Sequence, residues 1–180
     1  AWQILEQEHD RAALIAGRLR VELTLQPFHL QISRDENILL IADTPPAWLT
    51  GDEGQFPKTV RMTFESPETE SFHGLGERYN AFNLRGSKLD ASVYEQYKNQ
   101  DIHTYLPVPF FLSSQGYGFY LETARYSTFD FAVSQSNQWQ VQADIGSQAS
   151  INFHIYAGAG PKENLHLFSR QVGLPQLPPD

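Results

Sequence analysis

Short stretches in which apolar and polar residues alternate dominate the chain. Leu19, Val21, Leu23 and Leu25 are separated by Arg20, Glu22 and Thr24, a period of two that gives a strand one apolar and one polar face. Further strands are predicted at 28–33, 38–42, 59–65, 110–113, 118–123, 128–133, 138–143 and 150–156. Gly, Pro, Asn and Asp punctuate them. The segment Ser113-Ser114-Gln115-Gly116-Tyr117-Gly118 divides two apolar runs and reads as a hairpin turn, and residues 134–137 divide the next pair. Strands at about ten-residue spacing predict an all-β fold, an antiparallel β-sandwich.

Three regions break this rhythm. Residues 6–16 fit a helix or a strand, and the run from Ala12 to Gly17 favours a strand ending in a turn. Residues 87–104 are polar and rich in tyrosine, with no clean period, which marks a loop of the length that usually carries function. Residues 161–173 predict a helix, with Pro161 at its first position, Glu163 in its first turn, Gly173 as its C-terminal stop, and Leu165, Phe168 and Val172 on one face. Beyond it, Leu174-Pro175-Gln176-Leu177-Pro178-Pro179 cannot continue a helix and reads as a connector. The expected organisation is a sandwich over 1–160 and a helix with a Pro-rich connector over 161–180.

Composition narrows the classes. The 180 residues suit about one domain. An aromatic share of 13% suits pleated, half-buried surfaces. A net charge of −8, with its 13 Lys and Arg dispersed, would repel phosphate backbones, so nucleic acid is not expected as a partner. Zero cysteines excludes disulfides, thiol catalysis and Cys-based metal sites from this chain. No apolar run approaches the roughly 18 residues of a membrane helix, so no membrane partner is expected either. A cytoplasmic location is the working expectation.

Most chemistry-bearing patterns have a structural reading. Gly74-Leu75-Gly76 continues as Glu77-Arg78-Tyr79 and lacks the third glycine or the Lys-Ser/Thr of a phosphate loop. Its glycines are better read as allowing a bend or a close backbone approach, with Glu77 and Arg78 making charge pairs at the sheet edge. The six histidines form no HxH or HExxH pair, and no metal or cofactor is expected. There is no GxSxG elbow for a serine nucleophile. The loop, by contrast, gathers Asp90, Glu95 and Asp101 with Tyr94, Tyr97, Lys98, Asn99 and Tyr105, a mixture that can hydrogen-bond hydroxyls and stack on sugar rings.

Pro27-Phe28-His29-Leu30, Phe72-His73-Gly74-Leu75-Gly76-Glu77-Arg78-Tyr79-Asn80, Arg85-Gly86, residues 107–113, Gly116-Tyr117-Gly118, and the passage from Gly158 to Pro179 follow one another along the chain. In this order they resemble glycoside hydrolase family 31. The resemblance covers roughly residues 19 to 180. It implies the galactose-mutarotase-like β-sandwich that family members carry ahead of a (β/α)8 catalytic barrel, in agreement with the all-β reading. Such a barrel needs about 250 residues, and in the family it holds both the aspartate nucleophile and the acid. Catalytic residues are therefore expected to be none here, and the chain alone inert.

The resemblance further implies that the sandwich loop at 85–105 reaches over the barrel mouth and shapes the substrate pocket. Leu89-Asp90-Ala91-Ser92 is similar to the family stretch whose aspartate can bind sugar hydroxyls. Asp90 is thus the first substrate-binding candidate, Ser92 the second, and Tyr97 and Asn99 are further candidates. The implied partners are an α-linked oligosaccharide and the enzyme's own barrel. The implied activity is that of a retaining α-glucosidase, with α-xylosidase as the competitor. A free-standing carbohydrate-binding module, stacking sugars on Trp48, Trp139 or the loop tyrosines, is the alternative from another class, and a purely structural sandwich is a third.

Overall fold

Three antiparallel sheets and one helix form in a computed structural model that describes residues 2–50, 57–95, 98, 100–146 and 150–174. The first sheet is a meander of β1 (Gln3–Gln7), β2 (Arg11–Ala16), β3 (Leu19–Leu25), β4 (Phe28–Arg34) and β5 (Asn37–Ala42). The ambiguous N-terminal region is therefore strand, and its turn is Gly17, at φ +60°. Register places Val21, Ile32 and Leu40 in one row, facing the interior, while Glu22 and Gln31 share the other face. Strand β1 is exposed along its whole length.

The second sheet has the order β6 (Ala47–Thr50), β7 (Pro57–Glu65), β13 (Gln138–Asp144), β12 (Ser127–Phe131), β9 (Lys88–Asp90). The third has the order β14 (Phe153–Tyr156), β11 (Gly118–Leu121), β10 (Phe110–Ser113), β8 (Phe72–Gly74). Strands β6, β8 and β9 lack a legible alternation, at three or four residues each. Strand β9 falls inside the stretch expected to be an unstructured loop. Its three residues pair with β12, so Leu89 lies opposite Phe129 and is 1% exposed.

Alternation along β13 shows how the core is built. Gln138, Gln140 and Gln142 point outward, while Trp139, Val141 and Ala143 turn inward and pair with Phe64, Met62 and Val60 of β7. Phe111 and Phe119 of the third sheet meet this layer, their rings 5.1 and 5.0 Å from that of Trp139. Phe72 stacks on Phe131 at 4.5 Å. Burying one such side chain contributes about 1.5–3 kcal/mol, and a well-oriented ring pair about 0.5–1.5 kcal/mol more. Ile32, Leu39, Leu40 and Ala42 join the same core from the first sheet, where β5 lies beside β7. Trp139 is fully buried, so of the rings offered for a binding module it cannot stack on a sugar; Trp48 on β6 is half exposed.

Sheet three is apolar on both faces. Phe111 and Phe119 face the core, while Phe110 and Tyr120 face α1 (Pro161–Val172), where Phe168 stacks on Phe110 at 4.1 Å. Of the expected docking face of α1, Phe168 meets the sheet, whereas Leu165 and Val172 are about half exposed, and the buried residue is Asn164. Its Oδ1 accepts the Gly158 N–H and its Nδ2 donates to the Gly116 carbonyl at 3.2 Å, so a satisfied polar anchor joins the aromatic one.

Two acids, Glu70 and Asp130, are buried among the described residues. Glu70 is 1% exposed, and its Oε1 accepts hydrogen bonds from Ser113 and from Tyr117, the latter at 2.9 Å. Burial pushes its pKa up, against the opposing hydrogen bonds of Ser113, Ser66 and Tyr117 and the charge of Arg85. Arg85 donates to Ser66 Oγ at 2.7 Å and to the Glu70 carbonyl at 3.3 Å.

Candidate functional site

The segment from β8 to β10 is folded by its glycines and by polar contacts to its backbone. Gly74, Leu75 and Gly76 have φ of +138°, +61° and +86°. A Cβ on Gly76 would lie 1.9 Å from the Leu106 carbonyl oxygen, and one on Gly74 would lie 2.6 Å from that of Phe110. The close-approach reading of this motif therefore holds. Leu75 N–H donates to the Phe110 carbonyl at 2.8 Å, and Glu77 N–H to that of Leu106 at 3.1 Å.

Among the described residues, Glu77 and Arg78 form no ion pair, so the expected charge pairs are replaced by other contacts. The Glu77 carboxylate accepts the Tyr79 hydroxyl, whereas the Arg78 guanidinium donates to the carbonyls of Leu75, Ile102 and Asp90. Burial lowers the Arg78 pKa, and the nearby charge of Asp90 opposes that shift.

Asp90 ends β9, opposite Thr128, and is half buried. Its Oδ2 accepts the Tyr94 hydroxyl at 2.6 Å and lies 3.5 Å from that of Tyr126. Its Oδ1 is buried and accepts no hydrogen bond among the described residues. The hydrogen bond to Asp90 raises the Tyr94 pKa, helped by burial; for Tyr126 burial is the larger cause and the Asp90 charge the next. The Tyr94 ring packs at 4.2 Å from that of His103, its N–H donates to the Thr104 carbonyl at 2.9 Å, and Val93 bridges Thr104. The segment thus closes on itself directly after Asp90.

Two hollows flank it, each of about 370 Å³. One is lined by Ser92, Val93, Pro107, Thr123, Arg125 and Tyr126, which places Ser92 beside the Asp90 partner Tyr126. The other lies under Tyr79 and Phe82, with His73, Gly74, Gly76 and Arg78. Phe82 is 87% exposed, and the His73 ring sits 4.6 Å from its own. Among the sequence-derived candidates, Ser92 lines the first hollow and Asp90 meets it through Tyr126; Tyr97 and Asn99 lie outside the described residues. Tyr126 was missed because it is remote from the loop in sequence, and Arg78 because a guanidinium serving carbonyls leaves no acidic partner to read. Among the described residues no cluster of three His, Asp or Glu could hold a metal. The arrangement offers acceptors, hydroxyls and exposed rings, the chemistry of hydroxyl recognition.

Comparison with known proteins agrees with this architecture. Over 175 residues the chain is 33% identical to an isomaltosyltransferase of Sporosarcina globispora, covering 92% of this chain and 16% of that protein. Over 132 residues it is 34% identical to a 1,3-alpha-isomaltosidase of Kribbella flavida, covering 70% of this chain and 17% of that one. The cycloalternan-forming enzyme of Listeria monocytogenes, solved in complex with a pentasaccharide substrate, superimposes with a TM-score of 0.89 at 25% identity, over 99% of this chain and 17% of that chain. The chain thus spans about a sixth of the length of the curated relatives it matches. Residues 3–130 match the glycosyl hydrolase 31 N-terminal galactose mutarotase-like domain, and the chain belongs to that family.

Proposed function

We propose that this domain shapes the substrate pocket of a retaining family 31 enzyme acting on α-glucosides, with the 85–105 segment reaching over the mouth of a catalytic barrel. The observation that carries the reading is Asp90. Its carboxylate is oriented by the Tyr94 hydroxyl, with Tyr126 alongside, at the half-buried end of β9, in the segment that the family resemblance marks as pocket-facing. A hydrogen bond from a sugar hydroxyl to an ionised acceptor contributes about 1.5–3 kcal/mol, and a site built for that hydroxyl rejects sugars lacking it. Such a residue tunes specificity while the nucleophile and the acid act from the barrel.

The names of the relatives favour isomaltosyl units as the group recognised, ahead of a simple α-glucoside or an α-xyloside. The test compares hydrolysis and transfer on isomaltose-containing oligosaccharides, p-nitrophenyl α-glucoside and p-nitrophenyl α-xyloside. Residues 1–180 are assayed alone and within a protein that continues into a barrel. Activity confined to the longer protein, highest on the isomaltosyl substrate, supports the reading. Equal turnover by residues 1–180 alone contradicts it, and a preference for the xyloside replaces the sugar.

A further inference from the structure

We propose that Arg78 is a positioning residue that locks the two ends of the 90–102 segment onto the Gly74-Leu75-Gly76 turn. Carbonyls from three places meet this one guanidinium: Leu75 in its own turn, with Nε at 3.2 Å, and, from farther along the chain, Asp90 at the end of β9 and Ile102 on the returning chain. No carboxylate shares it among the described residues, so its donors are committed to the backbone. The planar fork of arginine suits this task, because its N–H vectors are fixed relative to one another and diverge toward separate acceptors. A lysine ammonium on a flexible stem is a point donor and does not reproduce that geometry.

Neighbouring contacts complete the lock from the same side. The Thr104 hydroxyl donates to the Glu77 carbonyl and accepts the Leu106 N–H at 3.1 Å, while the Tyr94 N–H reaches the Thr104 carbonyl. The turn that carries Arg78 is itself fixed, since Leu75 is fully buried and Gly76 admits no side chain against Leu106. Arg78 therefore transmits the position of a rigid turn to the backbone of Asp90, two residues before Ser92. It touches neither carboxylate oxygen of Asp90, and acts on that residue through its main chain.

The clamp rests on geometry alone. Its consequence for catalysis rests on the pocket-shaping reading above, so the test has two readouts. Hydrogen exchange in the 180-residue chain is compared for the parent, Arg78→Lys and Arg78→Ala. Exchange of the Tyr94 and His103 amides is expected to rise roughly tenfold or more in both variants, while the Phe129 and Val141 amides in the core keep the parent rate. Unchanged exchange at Tyr94 and His103, full rescue by lysine, or an equal rise throughout the domain overturns the clamp. In a protein joining this domain to its barrel, Arg78→Lys is expected to raise KM for the oligosaccharide severalfold with kcat nearly constant. A loosened segment with unchanged KM leaves the clamp standing and removes the pocket-shaping reading instead.

Discussion

The aromatic layer between the second and third sheets and the stretch that follows Asp90 are held by opposite means. In the layer, Phe111 contacts Tyr117, Phe119, Phe129, Phe131 and Trp139 ring to ring, so the loss of one contact is shared among many. In the stretch after Asp90, directional hydrogen bonds from Arg78, Thr104 and Tyr94 help to fix the path. Apolar packing is cooperative and non-directional, which suits a scaffold. Polar fixation at discrete points leaves groups at the surface for recognition, which suits a site on a loop.

Substitutions in the two regions should therefore fail differently. The largest effect is expected for Phe111→Ala, which removes a fully buried ring and should lower unfolding free energy by about 3–5 kcal/mol. Urea denaturation checks it, and tryptophan fluorescence and far-UV dichroism should shift together. Gly76→Val comes next. It forces a branched side chain into φ +86° and onto the Leu106 carbonyl, at a cost of about 2 kcal/mol or more. Here the damage should be local, visible as protease cleavage within 90–106 under conditions in which the core still resists.

Buried Glu70 sharpens the contrast through pH. Burial raises the Glu70 pKa in the folded state, so that state holds a proton more readily than the unfolded chain, whose ordinary value is 4.5. Stability is then greatest below that value and is lost as pH rises through the raised folded value. Glu70→Gln cannot ionise and should remove this slope. Urea midpoints from about pH 4.5 to 7 should fall for the parent relative to the variant; parallel curves would show that Glu70 is ionised without cost. The smallest effect on stability belongs to Asp90→Asn, within about 1 kcal/mol at a half-buried position. Its signature is spectroscopic. The Tyr94 phenol should ionise at lower pH than in the parent, and by a larger step than Tyr126, whose shift owes more to burial.

The same division decides what the sequence reveals. Strand β13 is legible because one face is buried and the other is not, so Gln138 to Asp144 print their geometry as a period of two, and Leu19 to Leu25 of β3 show the same alternation in residue type. Strands β6, β8 and β9 are too short for a period, and are defined by partners far along the chain. The helix was legible from Pro161 and Gly173, and its docking face only in Phe168. Asn164 is buried because Gly158 and Gly116 satisfy it, and that fact lies in the tertiary structure. At the site, Asp90 and Ser92 were found through a family pattern. Tyr126 and Arg78 act through contacts that no local spacing encodes.

The most direct test of the account is kcat/KM for an isomaltosyl oligosaccharide in an enzyme that carries this domain ahead of its barrel, measured for the parent and for Asp90→Ala. The account predicts a loss of at least about tenfold, equivalent to about 1.4 kcal/mol of transition-state binding, with the melting temperature nearly unchanged. An unchanged kcat/KM in a folded variant would contradict it, removing Asp90 from the pocket and leaving the domain a scaffold.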